Sequence, residues 1–478
     1  MKSLKLRWLW LGLLVLVLVA CGGNSGNNGN TANDEAANNT TENTTENAAE
    51  NAAAEENTAE EPVVEEPAAE EIALRWRTRP DNQEEADVYA AVSATLDGQL
   101  DGITLTYEPG GSETASYQDV LKTEIANGTA PDVFWIPGTD VADFATRGLI
   151  LNMADLAAAT DGFSVDNFYP GPMYHLTYNP EGMASGADSG ALWGLPRDVS
   201  TFALYLNLDL IAEAGAADPR ELAANGEWTW EAFLEVAQAV RALGTDIYGY
   251  GANAWWGPYG TWMNAAGGGF FNEDRTSCNL DSAESLAGLA FEQSLYQEFD
   301  VAVPYGEDSE PPYRAGKVAM FQNGRWATPG TRTVTFNWDV VELPQGPAGS
   351  AGNWLFWGAY VVNGSLEGER ASAAWQLVQA LTTAETQATI SALGANIPSR
   401  VSQEAFDAFL TYTPPANNQA FLNGLADNPA TEGPLWAGSW PEYAPVMDAA
   451  VQSLMTGGST IDDFSATVCG EANKAFNN

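Results

Sequence analysis

Two apolar periods alternate along this chain. Ile72 to Trp76 and Ile103 to Tyr107 repeat every second residue, as strands do, and Glu84 to Leu96 between them has helical spacing. A second helix is expected over Tyr117 to Asn127, then a short buried strand in Ala130-Pro-Asp-Val-Phe-Trp135 that stops at Pro137-Gly138, then helix from Val141 to Arg147. Strand and helix in turn predict an α/β lobe with a largely parallel sheet, and a ligand site off the carboxyl ends of its strands.

The stretch Trp193-Gly-Leu-Pro-Arg-Asp198-Val-Ser-Thr-Phe-Ala-Leu-Tyr-Leu-Asn207 reads as a crossover into a second lobe. Gly194 and Pro196 bias the backbone away from helix, and Phe202 to Leu206 has strand composition. Arg197 and Asp198 fall at the passage, where buried charge is costly unless paired, so they point to a polar ligand, a hinge lock or both. Beyond it, Thr229 with Glu231 starts a helix whose buried face is Phe233, Val236, Ala237 and Val240. Asp281 and Glu284 start another, with Ala287, Ala290, Phe291 and Leu295 expected inward. Tyr248 to Trp262 mixes aromatics with Gly and Pro, shows no helical period, and reads as a loop. Asn353 to Val362 is a strand entered through tryptophans, and Ala371 to Leu381 a helix.

The amino terminus is of another kind. Lys2, Lys5 and Arg7 precede an apolar run from Trp8 to Ala20, too short to span a bilayer comfortably and ending in small residues, which is a secretory signal. Leu18-Val-Ala-Cys21-Gly resembles the lipobox of bacterial lipoproteins, and the resemblance implies an acylated Cys21 that holds the mature chain on a membrane surface without spanning it. Residues 22–71 carry 13 acidic residues, no Lys or Arg and no aromatic residue, a composition that cannot bury a core. They are expected to form a disordered tether with a span of about 40 Å.

The remaining body carries 51 acidic against 16 basic residues. That field repels nucleic acid and anionic lipid, so neither is an expected partner. It also holds 15 of the 17 tryptophans, more than a core of this size needs, so some are expected to face a ligand. Cys278 and Cys469 are an even pair in an oxidising-permissive compartment, and both a disulfide and two buried thiols fit them. The single histidine, His175, rules out a His-Glu-x-x-His zinc site and reads as a surface or packing residue. No Gly-x-Ser-x-Gly elbow or P-loop is present.

In order along the chain, Ala-Pro-Asp132-Val-Phe-Trp135, Gly194-Leu-Pro-Arg-Asp198, Leu204-Tyr-Leu-Asn207, Trp228-Thr-Trp-Glu231, Ala319-Met-Phe321-Gln-Asn-Gly324-Arg-Trp326 and Ile397-Pro-Ser-Arg400 resemble the sugar-binding proteins of ABC importers, the family of maltose-binding protein. The resemblance covers nearly all of the chain after Ile72. It implies a two-lobed periplasmic-binding-protein fold of type II, with residues 72–197 and 354–402 in one lobe and 198–353 and 403–478 in the other. It further implies a monomer without cofactor or metal that takes a sugar by hinge closure and delivers it to a two-subunit permease with its ATPase. The two cysteines would then share the second lobe.

A sugar offers apolar C–H faces and many hydroxyls, so its site needs flat aromatic platforms and planar polar groups. The residues expected to supply them are Arg79, Trp135 and Asp140 from the first lobe, Asp198 and Thr201 from the crossover, and Trp255, Trp256 and Trp262 from the second. Trp326, Trp357 and Arg400 join them because they match family segments that border the cleft. For each tryptophan the competing reading is core packing, and for Asp198 it is a salt bridge to Arg197 or Arg79. Asp132 reads as structural, and Arg325 is open between ligand and lobe packing. The segment Gly352-Asn-Trp-Leu-Phe-Trp357-Gly is bulkier than in the family and would narrow the cleft in favour of a short sugar. Two other classes fit the composition: a secreted glycoside-active enzyme with paired carboxylates, and a carbohydrate-binding surface lipoprotein without a transporter.

Overall fold

The computed structural model describes residues 71–80, 83–111, 114–394, 396–427 and 429–477. The signal, Cys21 and the tether before Glu71 lie outside the described residues. The first apolar stretches form strands β1 (Ile72–Thr78), β2 (Ile103–Pro109) and β3 (Val133–Pro137), separated by helices Gln83–Asp97 and Thr114–Ala126. β4 (Leu195–Ser200) completes this part of the chain, and β5 (Phe202–Asn207) begins the next. Then come β6 (Tyr248–Gly251), β7 (Val318–Gly324), β8 (Trp338–Val341), β9 (Trp354–Val362), β10 (Ile397–Pro398) and β11 (Ala430–Thr431).

One sheet has the order β10-β4-β9-β3-β1-β2 with β11 beside β9, and the other the order β6-β7-β5-β8. The expected βαβ start is present: β1 pairs in parallel with both β2 and β3. The sheets are mixed where strand and helix alternation suggested largely parallel ones. β9 returns from the other lobe and inserts antiparallel between β3 and β4, and β5 is antiparallel to both β7 and β8.

The chain leaves the first sheet at Ser200 and enters the second at Phe202, slightly later than the expected boundary at Arg197 and Asp198. It returns to the first sheet at Trp354. Helix Gln403–Thr411, assigned by sequence to the second lobe, packs on helix Ala384–Ser391 and β10 of the first, with Phe409 in that core.

Both faces of β5 are covered. Phe202, Leu204 and Leu206 belong to one apolar cluster and Ala203 and Tyr205 to the other, so period two here sorts residues between two cores rather than between core and water. Thr229 caps helix Trp230–Arg241 by accepting from the Ala232 N–H, and its four expected apolar residues are buried. The next cap is Ser282, and the buried face of helix Ala283–Gln297 is Ser285, Gly288, Leu289, Glu292 and Leu295; Ala287 and Ala290 are exposed. The shift follows from Gly288, where any Cβ would strike the backbone of Trp262 and Met263, so the small residues take the helix contact. The expected loop through Trp262 instead contains β6 and helix Trp256–Ala265. Pro258 is tolerated because it lies in the first turn, where backbone N–H groups need no helical partner. Cys278 and Cys469 are joined in a disulfide within the second lobe.

Candidate functional site

A cavity of about 970 Å³ opens where the two sheets face each other. Its first-lobe wall is made at strand ends. Arg79 follows β1, Trp135 and Pro137 close β3, Thr139 and Asp140 come next, and Asp198 and Ser200 finish β4. Phe356 and Trp357 enter from the start of β9, which opens on the same edge because β9 runs antiparallel. The second-lobe wall has Asn253, Trp255 and Trp256 after β6, Asn323 and Trp326 at and beyond the end of β7, and Trp440 and Asp448 on helix Trp440–Met455.

Glycines make room for the indoles. A Cβ on Gly358 would collide with Trp135, one on Gly138 with Trp357, one on Gly257 with Trp255 and one on Gly324 with Trp326. Four cavity tryptophans therefore lie against bare backbone on one side, where any Cβ would displace the ring.

Charge gathers on the first-lobe wall. Arg197 is buried and its Nε donates to Asp198 Oδ2 at 2.6 Å, while Nη1 donates to Thr78 Oγ1 at 2.8 Å. The guanidinium carbons of Arg79 and Arg197 each lie 4.9 Å from the ring centroid of Trp135. Trp135 is thus a support for two cations. Gln118 Nε2 donates to Asp140 Oδ2, yet burial outweighs this bond and pushes the Asp140 carboxyl up to about 6. Glu432 adjoins it and is pushed well up by burial and by the Asp140 charge, against an N–H from Thr139 and the Arg79 charge. Across the cavity, burial raises Asp448 to about 6 although Tyr259 Oη donates to it at 2.8 Å.

Eight of the eleven expected ligand residues line the cavity: Arg79, Trp135, Asp140, Asp198, Trp255, Trp256, Trp326 and Trp357. Three stand elsewhere. Thr201 is fully buried in the crossover and its Oγ1 donates to Phe421 O at 2.8 Å. Trp262 turns into the second-lobe core, against Trp230, Phe233 and Tyr250, because it lies on the inner side of its helix. Arg400 lies over Phe168 at 4.8 Å and donates through Nε to Thr382 O at 3.0 Å. The Arg197–Asp198 pair joins both of its sequence readings, a salt bridge that also faces the cavity. Asp132 is structural as read, taking two bonds from Arg370 at 2.7 and 2.8 Å. His175 is a packing residue, buried and stacked on Trp357.

Sequence reasoning missed Glu432, Trp440, Asp448, Asn253, Asn323 and Phe356. Trp440 carried a usable signal, an aromatic at a helix start marked by Ser439 and Pro441. Glu432 carried none: it reaches the cavity only because β11 joins β9. Among the described residues no group of three His, Cys, Asp or Glu is disposed to hold a metal ion, and no helix is long and apolar enough to cross a membrane.

The chain is similar to several known proteins. A Brucella abortus chain described as a binding protein is 23% identical over 387 residues, covering 77% of this chain and 85% of that one. The galactooligosaccharide-binding protein of Bacillus subtilis is 26% identical over 235 residues, covering 47% and 50%. Among solved structures, an ABC substrate-binding protein from Listeria monocytogenes in complex with cycloalternan superposes with a TM-score of 0.73 at 18% identity, covering 85% of this chain and 99% of that one. This likeness fixes the two-lobed periplasmic-binding-protein fold. The sequence profile of the bacterial extracellular solute-binding proteins matches residues 90–416. With its cleft between two lobes, this chain belongs to that family.

Proposed function

We propose that the cavity captures a sugar or oligosaccharide and that the loaded protein delivers it to an ABC permease. The observation that carries this reading is the pairing of partly exposed indoles, Trp255, Trp256 and Trp326, with a facing wall of carboxylates and guanidinium groups. Indole faces suit the C–H surface of a pyranose, and charged planar groups suit its hydroxyls. The cavity volume is at the upper end of the roughly 300–1,000 Å³ usual for small-molecule sites, which favours more than one ring over the short sugar suggested by the bulky β9 entry. Two of the similar proteins are named for or solved with a galactooligosaccharide and cycloalternan, which supports the same ligand class here.

Closure has a hinge to work on. Asn353, just before β9, accepts from the Phe202 N–H at 2.9 Å and donates to the Phe202 carbonyl at 2.8 Å, and Thr201 donates to Phe421 O. The two sheet crossings are thereby tied to each other and to the helix that carries Phe421, and a ligand touching both walls would shift the open and closed populations. In this reading Cys21 is acylated, residues 22–71 tether the body to the membrane, the lobes divide near the two sheet crossings, and the protein acts as a monomer with a permease and its ATPase.

The test is the melting temperature and tryptophan emission of the purified full chain against a panel of mono- and oligosaccharides. A ligand at 100 times its dissociation constant should stabilise the fold by about 2.7 kcal/mol. No shift across the panel would sink the sugar reading. The buried neighbours Asp140 and Glu432 are a feature that a glycoside-cleaving enzyme would also use, so product is assayed in the same samples; turnover would replace capture with catalysis.

A further inference from the structure

Arg325 follows β7 at the hinge and is wholly buried. Its backbone N–H donates to Ser200 Oγ at 3.0 Å, which pins it to the crossover. Its guanidinium carbon lies 4.9 Å from the ring centroid of Phe409 and 5.1 Å from that of Phe421. Among the described residues, none of Nε, Nη1 and Nη2 has a hydrogen-bond partner.

Arg332 lies beside it. Its Nε donates to Pro414 O at 2.9 Å, its Nη1 donates to Leu393 O at 2.8 Å, and its guanidinium carbon lies 3.8 Å over Tyr412. The remaining nitrogen, Nη2, is again without a partner among the described residues. Both free Nη2 atoms converge on Gly394, where a Cβ would stand 2.6 Å from that of Arg332 and 3.1 Å from that of Arg325. Among the described residues neither arginine forms a salt bridge, in a chain with 64 acidic and only 19 basic residues. Burial pushes Arg325 down to about 9, so it still carries its charge at neutral pH.

A fully buried cation beside a half-buried one, both with donors left over, is poorly tolerated in a protein interior, and ring faces are only weak acceptors for N–H groups. What the site lacks is compact negative charge.

We propose that Arg325, Arg332 and the bare backbone at Gly394 form a buried site for a small inorganic anion of the chloride class, set behind the hinge. The anion accepts from the free guanidinium nitrogens and joins the exit of β7 in the second sheet to residues 393–394 of the first lobe. Both Nη2 atoms approach the Gly394 backbone closely, and the little room left favours a monatomic ion over a bulky oxyanion. Because the ion bridges segments on both sides of the crossover, its occupancy stiffens the hinge, and halide and cleft ligand are thermodynamically linked.

The experiment is a melting series of the full chain at constant ionic strength, with chloride or bromide replacing gluconate. A saturable rise of about 2–3 °C is expected in halide and none in gluconate. Arg325→Met should abolish the rise. Arg332→Gln, which keeps a polar side chain, should weaken halide binding about tenfold and serves if the first variant does not fold. A crystal grown in bromide should show an anomalous peak between the two guanidinium groups. Equal melting temperatures in chloride and gluconate, an unchanged halide response in both variants, or bromide found only at the protein surface would each overturn the proposal. None of these readings depends on the identity of the cleft ligand.

Discussion

The two walls of the cleft use tryptophan in opposite ways. On the first-lobe side Trp135 and Trp357 are 5% and 4% exposed. The first lies under two guanidinium groups and the second is backed by His175. On the second-lobe side Trp255, Trp256 and Trp326 keep part of their surface open, braced edge-on by Phe202, Phe356 and one another. One wall therefore buries its indoles, Trp135 under charge and Trp357 against His175, and the other presents them. The difference teaches that tryptophan in a binding cleft is not one signal: an indole that supports a cation and one that meets a ligand have the same letter and the same cavity.

The contrast can be broken most severely at the charged wall. Arg197→Met leaves the Asp198 charge buried without its guanidinium, and urea unfolding should show a loss of about 3–5 kcal/mol. Trp135→Ala should cost a similar amount, about 3–5 kcal/mol, read mainly in stability.

Next comes the titration of the same wall. The Asp140 carboxyl is raised in the fold to about 6 by burial, so the native state holds this proton more tightly than the unfolded chain does. Stability should therefore fall as pH rises from about 4 to about 6, by up to about 3 kcal/mol, and level off above. Asp140→Asn should reduce that slope, leaving the part that Asp448 and Glu432 contribute, and be more stable than the parent at pH 7, as melting curves across pH would show. If the ligand is held by the carboxylate, parental affinity should weaken by up to about tenfold per unit as pH drops below about 6.

At the presenting wall, Trp326→Ala should weaken ligand binding by about 2 kcal/mol in calorimetry, while Trp135→Ala acts chiefly through stability. Equal losses of affinity and stability in both variants would erase the distinction between the walls. The smallest effect belongs to the rim: Lys122 lies 3.2 Å from Asp143 and is partly exposed, so Lys122→Ala should change stability by less than about 0.5 kcal/mol.

Much of the molecule was readable from residues alone. Period two at β1 and β2, helical spacing between them, the Thr229 cap and the tryptophan-led β9 are local properties, decided by neighbours within a turn or a pleat. The helix through Pro258 was not, because its glycines and aromatics carry no period and it is held by packing on all sides. Of the expected ligand residues, the strand-end positions came together, since strand ends must face the crevice. Thr201, Trp262 and Arg400 went elsewhere, each through a partner distant in the chain or on the opposite side of its element.

The sequence by itself determined an α/β chain with a crossover at Arg197 to Phe202 and a surplus of indoles for a cleft, because composition and periodicity act over a few residues. Only the tertiary structure decided which indoles face the cavity, that Glu432 stands beside Asp140, and that Arg325 and Arg332 meet at Gly394. Those outcomes depend on strands inserted from far along the chain, and a residue's own neighbourhood in sequence holds no record of them.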